Sequence, residues 1–368
     1  MTACRSLTSA PHSNGHPLAA SGAREHGGGL DRAAARYGIA RECWIDLSTG
    51  INPDGYPVPV LPPDVWRRLP DAALDERLRA AAASCYRVHD PGLVVPASGS
   101  QALIQWLPRL ELPSRVAVLG PTYNEHAPAW AAAGHEVREV EGLDAIPADA
   151  DVLVVVNPNN PDGRVVEPLR LLELTERRLV VVDEAFAEVV PEASVARCAG
   201  RPNLVVLRSF GKFFGLAGLR LGFALAERKR ALALGTALGP WSVSGPAAAI
   251  GMAALADDVW IANTRASLAG AAARLDQLLA DSGLAVLGGT PLFRLIVHAN
   301  AEGLYERLAR CGILTRRFAA HPAWLRLGLP GNETEWARLA AGLAGVQQNR
   351  RQNRPGKAEP PPEPAGPG

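Results

Sequence analysis

The sequence predicts an α/β fold in which a mostly parallel sheet is accompanied by a smaller second domain. Three observations support this prediction. The chain has 368 residues, enough for one large and one smaller domain. Short apolar runs alternate with helical segments, and residues 179–182 are typical of a β-branched strand buried on both faces of a parallel sheet. Polar residues follow several of these runs, at the strand ends where open α/β sheets bind ligands.

Charge, cysteine content and hydropathy argue against several classes of protein. The net charge of +1 gives no electrostatic case for binding nucleic acid or an anionic membrane. The five cysteines are scattered without a Cys-x-x-Cys pair, so we expect neither a metal site nor a disulfide framework, and the pattern fits a reducing cytoplasm. No apolar run approaches the roughly 20 residues of a membrane helix. The N-terminus also lacks the apolar core of a signal peptide.

Glycines and a turn mark the first part of the chain. Residues 1–25 are predicted to be flexible. His26 is followed by Gly27 and two further glycines, which let the backbone approach a ligand closely, a flexible linker being the alternative. Asn52 precedes a proline in a turn. Its side-chain amide either donates a hydrogen bond to a ligand or serves only to form the turn. The elements expected here are helices at 30–37, 64–69 and 74–86 and a strand at 44–48.

The next segment has the order strand, glycine turn and helix, in which free backbone N–H groups and the helix dipole bind phosphate. A strand at 94–97 is followed by Gly99, Ser100 and Gln101 at the start of a helix. Tyr123 follows the next strand, where it stacks on an aromatic ligand or belongs to the core. Further elements expected here are strands at 116–119 and 136–140 and a helix at 126–133.

Two strands near the middle of the chain end in polar residues. The strand at 151–156 leads into the string NPNNPDG, which begins with Asn157 and is hard to explain by packing alone. After a helix at 168–177, the strand at 179–182 ends at Asp183.

Lys212 is the centre of the most informative stretch, LRSFGKFFGLAGLRLGF at 207–223, between strands at 204–207 and 221–224. It is one of three lysines, and the other two lie in a charged run and in the Pro-rich tail. Only a primary amine forms a Schiff base, and burial lowers the pKa of a lysine towards its nucleophilic form. Ser209 and Arg220 flank it and could hold a phosphate, although a salt-bridged loop lysine is the alternative.

The C-terminal part carries two arginines with a possible role in anion binding. Arg316 follows a strand, and Arg326 lies in a strand where a bidentate guanidinium suits a carboxylate, an exposed strand arginine being the alternative. Helices are expected at 240–256, 259–280, 301–311 and 333–343, and strands at 291–298, 312–315 and 324–328. We predict a flexible segment 1–25, an N-terminal arm with part of the small domain 26–70, a large domain 71–258, a small domain 259–346 and a disordered tail 347–368.

The motif Ser209-x-x-Lys212-x7-Arg220 resembles the hallmark of the fold-type I, aspartate-aminotransferase-like family of enzymes that use pyridoxal 5'-phosphate (PLP). The resemblance spans about residues 26–345 and implies a three-layer sandwich with a mostly parallel central sheet and a smaller α+β domain. It implies that Lys212 forms a Schiff base with PLP and that Asp183 keeps the pyridine ring an electron sink. It also assigns Gly99, Ser100, Gln101, Ser209 and Arg220 to the cofactor phosphate, Tyr123 to the ring and Asn157 to its phenolic oxygen.

Within that family, four local strings resemble the threonine-phosphate decarboxylases of cobalamin biosynthesis. The strings are 26–28, 46–53, 207–222 and 316–317. This resemblance implies that L-threonine O-3-phosphate, a phosphorylated amino acid, loses CO2 to give (R)-1-amino-2-propanol O-2-phosphate. It implies a homodimer with the site at the subunit interface. The substrate contacts that it implies are His26, Gly27, Asn52, Asn157, Arg316 and Arg326.

Two alternatives remain at this point. Histidinol-phosphate aminotransferases share the fold and the cofactor residues. Leu69 replaces a tyrosine that many members place at the partner's cofactor phosphate, and Phe186 replaces a tyrosine near the phenolic oxygen. A non-catalytic PLP-binding regulator is the other alternative, but residues 1–25 are too short and too neutral for its winged-helix segment.

Overall fold

The computed structural model describes residues 26–346, so the predictions for 1–25 and 347–368 lie outside the described residues. The helices are α1 Leu30–Tyr37, α2 Pro63–Arg67, α3 Ala72–Tyr86, α4 Ser100–Leu110, α5 His126–Ala132, α6 Pro168–Leu174, α7 Phe210–Phe213, α8 Arg228–Leu238, α9 Gly245–Leu255, α10 Asp258–Asp281, α11 Ala301–Arg310 and α12 Glu333–Leu343. The strands are β1 Ile45–Asp46, β2 Val94–Ala97, β3 Arg115–Leu119, β4 Glu136–Val140, β5 Val152–Val156, β6 Leu179–Asp183, β7 Leu204–Ser209, β8 Gly222–Ala226, β9 Ala285–Thr290, β10 Phe293–Val297, β11 Ile313–Leu314, β12 Arg316–Arg317 and β13 Trp324–Gly328.

A seven-stranded sheet with the order β2-β8-β7-β6-β5-β3-β4 forms the centre of the molecule. Strands β7, β6, β5, β3 and β4 pair in parallel, and β8 runs antiparallel to both of its neighbours. The predicted mostly parallel sheet is therefore confirmed. Its central strands β5 and β6 are buried along their whole length because their valine-rich sequences suit a sheet covered on both faces.

Helices cover both faces of this sheet and complete the three-layer arrangement. On one face, residues of α4, α5 and α8 pack against alternate residues of the central strands. On the other face, residues of α3, α9 and α10 pack against the remaining residues of the same strands. Successive side chains of a strand point to opposite faces, so each strand contributes to two hydrophobic cores.

A smaller antiparallel sheet with the order β12-β13-β10-β9 lies in the C-terminal part of the chain. Helix α10, 24 residues long, leads from the large sheet to β9. Strand β1 pairs in parallel with β11, which joins the N-terminal segment to the C-terminal one. Within residues 26–346, no helix is both long and apolar enough to cross a bilayer.

Four elements were not expected from the sequence: the short helix α7, helix α8, strand β9 and the two-residue strand β12. Helix α8 begins in the charged run around Lys229, and only two of its residues are buried. Strand β9 exposes its first three residues and ends in a Gly-Gly-Thr sequence. A Cβ at Gly288 would lie 2.1 Å from the carbonyl oxygen of Asp162, so the glycine permits a close backbone approach that no hydrophobic pattern reveals.

Candidate active site

The carboxyl ends of β5, β6 and β7 meet at one edge of the large sheet, where two adjoining cavities lie. The inner cavity, about 150 Å³, is lined by Asp183, Ser209, Lys212 and Arg220 together with the 99–101 turn. The outer cavity, about 250 Å³, is lined by residues of the N-terminal arm and by the arginines of the small sheet. Both cavities share the residues Tyr123, Asn160, Phe186 and Lys212.

Lys212 lies in α7, the short helix that follows β7, and its side chain reaches both cavities. Burial, followed by the positive charge of Arg326, lowers the pKa of the lysine to about 8, while Asp183 acts in the opposite direction. The backbone N–H of Asn52 donates to the carbonyl of Lys212 over 2.9 Å and fixes the turn. The lowered pKa gives the amine a larger neutral fraction near neutral pH than an ordinary lysine has, and the neutral amine is the nucleophile.

Asp183, at the end of β6, is buried, and each of its two carboxylate oxygens has a hydrogen-bond partner. Its Oδ2 lies 2.9 Å from Nε2 of His126, and its Oδ1 accepts from the backbone N–H of Ala185 over 3.1 Å. His126 is itself 1% exposed and begins α5. This environment holds a carboxylate in one orientation at the floor of the inner cavity.

A phosphate-sized cradle forms where β2 leads into α4. Gly99 has φ +82°, and a Cβ at this position would lie 2.5 Å from a terminal nitrogen of Arg220. Among the described residues no side chain caps the first turn of α4, so the start of this helix is open to an anion. Ser100, Gln101 and Ser209 line the same cavity. The structure therefore brings together the residues that were expected around a phosphate.

Tyr123 separates the two cavities. Its hydroxyl donates to Oε1 of Gln101 over 3.1 Å. Burial, followed by the charges of Asp183 and Glu125, raises the pKa of the phenol to about 12, so Tyr123 stays protonated. The ring is thus a neutral aromatic wall held in place by the cradle.

Arg326 and Arg316 bring positive charge to the outer cavity. They face each other in register on β13 and β12. Arg326 is only 6% exposed; its Nη2 donates to the carbonyl of Ser48 over 2.8 Å and its Nη1 to Oδ1 of Asn160. Its buried Nε has no hydrogen-bond partner among the described residues. Burial and then the charge of Arg316 lower the pKa of Arg326 to about 9. The buried positive charge is therefore costly, and an anionic ligand would compensate it.

The N-terminal arm closes the outer cavity. Nε2 of His26 lies 3.0 Å from Oε1 of Glu125, and the backbone N–H of Gly28 donates to Oγ of Ser48 over 2.7 Å. A Cβ at Gly27 would lie 2.4 Å from the carbonyl oxygen of Ser48, so only glycine allows the arm to lie this close. Both His26 and Gly27 therefore line the cavity in which the substrate is expected to bind.

Comparison with known proteins agrees with this geometry. The family model described as "Aminotransferase class I and II" matches residues 47–343. The chain belongs to this family. It is 49% identical to threonine-phosphate decarboxylase of Pseudomonas aeruginosa, in an alignment that covers 88% of this chain and 98% of the relative. It is 46% identical to threonine-phosphate decarboxylase of a Sinorhizobium species, again over 88% of this chain and 98% of the relative. Histidinol-phosphate aminotransferase of Sinorhizobium meliloti, solved with PLP, shares the fold at a TM-score of 0.74 with 22% identity, covering 88% of this chain and 95% of the other.

PLP is the cofactor, in agreement with the family match and with the solved PLP complex that shares the fold, and the residues of the inner cavity fit it. A nucleophilic lysine, a buried carboxylate, an aromatic wall and a phosphate cradle surround one space. The cradle is one that a single Cβ at Gly99 would fill. Within the described residues no group of three or more His, Cys, Asp or Glu side chains is arranged to hold a metal ion.

The structure corrects the placement of two asparagines. The side chain of Asn157 is completely buried; its Nδ2 donates to the carbonyls of Val166 and Ala193, and its Oδ1 accepts from Val166 N–H. Asn52 donates to the carbonyl of Phe213 and accepts from the N–H of Asp54. Both amides are used by the backbone, and neither residue lines the two cavities.

Two site residues were missed in the sequence, Asn160 and His126. Asn160 faces both cavities and contacts Arg326, so it takes the place that was expected of Asn157. It lies in the same NPNNPDG string, but the string alone does not show which amide faces the ligand. His126 is the first residue of α5, three positions after Tyr123, and the only signal in the sequence was a histidine at the start of the predicted helix 126–133.

Proposed function

We propose that this protein is a PLP-dependent carbon–carbon lyase, a threonine-phosphate decarboxylase. It would convert L-threonine O-3-phosphate to (R)-1-amino-2-propanol O-2-phosphate in cobalamin biosynthesis. Two relatives with 46–49% identity carry that name over 88% of the chain. The observation that carries the proposal is the convergence of Arg316, Arg326 and Lys212 on one cavity of about 250 Å³.

The charges of the outer cavity suit an amino substrate with two anionic groups. Arg326, with its buried and unsatisfied Nε, fits an α-carboxylate, which a guanidinium binds in bidentate fashion. Arg316 and His26 lie on the arm side of the same cavity and suit the phosphate. Lys212 lies between these groups and the inner cavity, at the position of the reacting amine.

When bound, PLP supplies an aldehyde that condenses with primary amines and a ring that accepts the electron pair released at the substrate Cα. Asp183, fixed by His126, presents negative charge to the floor of the inner cavity. Arg326 orients the carboxylate, so the geometry of this one contact decides which bond to Cα is aligned for cleavage. In the net reaction the bond from Cα to the carboxylate breaks, CO2 leaves and Cα gains a proton, which Lys212 Nζ is placed to deliver.

Histidinol-phosphate aminotransferase is the alternative function. Histidinol phosphate carries a phosphate but no carboxylate, so it leaves Arg326 without its anion while it is bound. The solved aminotransferase from Sinorhizobium meliloti, at 22% identity, supports the fold alone. The two-anion substrate therefore agrees better with the cavity.

A single assay separates the two functions. The purified protein with PLP is incubated with L-threonine O-3-phosphate, and CO2 and the aminopropanol phosphate are measured with and without 2-oxoglutarate. We expect both products to form without any keto acid. Product that forms only when 2-oxoglutarate is present would assign the protein to the aminotransferases.

We also propose that the protein works as a homodimer. Large apolar side chains are exposed at Val60 and Trp66 of the segment before α3 and at Trp241 before α9. The two segments adjoin, since Pro70 and Trp241 line one surface cavity of about 580 Å³. An exposed apolar surface of this kind marks a protein interface. Sedimentation should show a dimer that Trp66→Glu dissociates, whereas Leu169→Glu, at an equally exposed site on α6, leaves it intact.

We propose a cytoplasmic location as well. Within residues 26–346 the four cysteines, Cys43, Cys85, Cys198 and Cys311, form no disulfide with one another, which fits a reducing compartment. Fractionation of cells that express the protein, with a cytoplasmic marker enzyme as the reference, tests this location. Recovery in the periplasmic fraction would contradict it.

A further inference from the structure

Arg208 bridges two buried carboxylates behind the inner cavity. It directly precedes Ser209 in β7, and Glu184 directly follows Asp183 of β6. Nη1 of Arg208 lies 2.6 Å from Oε2 of Glu184, and Nη2 lies 2.9 Å from Oε1 of Glu188. The three side chains are at most 5% exposed. Because successive strand residues point to opposite faces, this cluster lies behind the residues that line the cavity.

Each carboxylate depends on Arg208 in a different way. Glu184 also accepts from Oγ of Ser194 and from the N–H of Val195, both over 2.6 Å. The carboxylate of Glu188 is buried, and the ion pair with Nη2 of Arg208 over 2.9 Å balances its charge. Removing one member of a buried ion cluster leaves an uncompensated charge, which is costly. Arg208 is therefore the residue that pairs with both carboxylates and balances their charge.

The cluster sits where two strands separate towards the site. The backbone N–H of Glu184 donates to the carbonyl of Leu207 over 2.8 Å, immediately beyond the last paired residues, Asp183 and Leu207. After this point β6 leads into the loop beyond Asp183, and β7 leads into α7 with Lys212. The ion pair between Arg208 and Glu184 thus links the ends of β6 and β7 through their side chains at the point where the two strands separate.

We propose that Arg208 is a positioning residue that fixes the placement of Asp183 relative to Lys212 by holding the ends of β6 and β7 together. The inference rests on the proposed function, in which Asp183 and Lys212 would hold two different parts of PLP. It assigns no chemical step to Arg208, which lines neither cavity.

The same cluster extends to the helix that leads to the small sheet. Nε of Arg265, on α10, donates to the backbone carbonyl of Glu188 over 2.6 Å. The guanidinium of Arg265 also lies 5.8 Å from the ring centre of Phe213, the neighbour of Lys212. Helix α10 continues into β9 of the sheet that carries Arg326. Arg208 therefore lies in a continuous set of contacts between the cofactor residues and the substrate-binding sheet.

The test measures cofactor binding rather than turnover. Arg208→Met is compared with wild type for the dissociation constant of PLP, for the absorbance maximum of the bound cofactor, and for the rate at which a lysine-selective reagent labels Lys212 in the cofactor-free protein. We expect the dissociation constant to rise about 5- to 30-fold, with a shifted absorbance maximum and an altered labelling rate.

Arg230→Met is the matched control. Arg230 also bridges two carboxylates, Glu111 and Glu227, but lies away from both cavities. We expect it to lower the thermal midpoint and to leave all three cofactor measurements within twofold of wild type. An equal loss of PLP affinity in both variants would show a general effect of destabilisation and would overturn the proposal.

A charge-free variant, Arg208→Met with Glu184→Gln and Glu188→Gln, separates stability from positioning. Removing the whole buried ion cluster relieves the uncompensated charge, so this variant should fold even if Arg208→Met does not. We expect its PLP affinity to remain reduced. Wild-type affinity and absorbance in this variant would overturn the proposal. Because wild-type PLP binding is measured in parallel, a failure of decarboxylation in the assay above leaves this result interpretable.

Discussion

Nε2 of His126 lies 2.9 Å from Oδ2 of Asp183, and both side chains are almost completely buried. A buried carboxylate with a single side-chain partner depends on that partner for its orientation and charge. Neither the distance nor the contact could be read from the sequence, because the two residues are 57 positions apart. This pair underlies the first prediction.

Asp183→Asn should lower kcat by roughly 10²- to 10⁴-fold while PLP still binds, because the charge that stabilises the ring is lost. His126→Leu should cost less, about 5- to 150-fold, the equivalent of leaving one buried acceptor without its partner. Steady-state kinetics together with the absorbance of bound PLP measure both effects. His135→Leu is the control, since His135 is also buried but contacts the carbonyl of Pro108 and lines neither cavity. Equal losses in the two histidine variants would contradict the assigned role of His126.

Lys212 should become reactive as the pH rises through about 8. The neutral amine is the nucleophile, and burial and Arg326 lower the pKa, so the protonated form dominates only below that value. Arg326→Gln removes the second cause and should move the midpoint to higher pH. Labelling of the cofactor-free protein across pH, quantified by mass spectrometry, measures the midpoint, with the exposed Lys229 as an internal reference. A midpoint that Arg326→Gln leaves unchanged would argue against electrostatic coupling of these two residues.

Arg326→Gln should also raise KM for threonine phosphate by roughly 30-fold or more, because one partner of a buried charge pair is removed. Arg294→Gln on the neighbouring strand β10 is the control. Arg294 makes a bidentate pair with Asp276 and lines neither cavity, so its loss should leave KM unchanged. A normal KM in Arg326→Gln would place the substrate carboxylate elsewhere.

Alanine substitutions at two asparagines of the NPNNPDG string, Asn157 and Asn160, should have different effects, one on stability and the other on catalysis. Asn160→Ala should lower kcat/KM with little change in stability, because Asn160 faces the cavities and supports Arg326. Asn157→Ala should instead destabilise the fold by about 1–3 kcal/mol, since it leaves buried backbone groups of Val166 and Ala193 unpaired. Thermal unfolding and kinetics of both variants measure the difference. The reverse pattern would restore the original assignment of Asn157.

The central sheet was predictable because its strands carry a strong physical signal. Strand β5 and the first four residues of β6 are continuous runs of valine and leucine, which are typical of a strand buried on both faces of a parallel sheet. Strand β9 lacks that signal: it pairs with β10 through its backbone, two of its residues are glycines where backbone segments approach closely, and its first residues are exposed. The periodicity of apolar residues indicates which side chains are buried. It gives no signal for a strand whose contacts are made mainly by backbone atoms.

The site was predictable where a residue type is chemically required, as for Lys212 and Asp183. It was less predictable where several residues offer the same group. Asn52, Asn157 and Asn160 all carry amides in loops, and a loop has no regular period that decides which side chain faces the cavity. Only the paired backbone groups in the structure show that two of the three amides are already used.

Gly99→Ala should weaken PLP binding at least about tenfold, because the added Cβ would lie 2.5 Å from a terminal nitrogen of Arg220 and would occupy the cradle. Gly134→Ala is a close control: Gly134 also has a positive φ, +90°, but a Cβ there would meet nothing within 4 Å. Both variants carry similar backbone strain, so both should lose thermal stability, and only Gly99→Ala should lose PLP affinity. Fluorescence titration with PLP and thermal unfolding of the two proteins test this. If Gly134→Ala lost affinity to the same extent, backbone strain would explain the effect and the phosphate cradle would have to lie elsewhere.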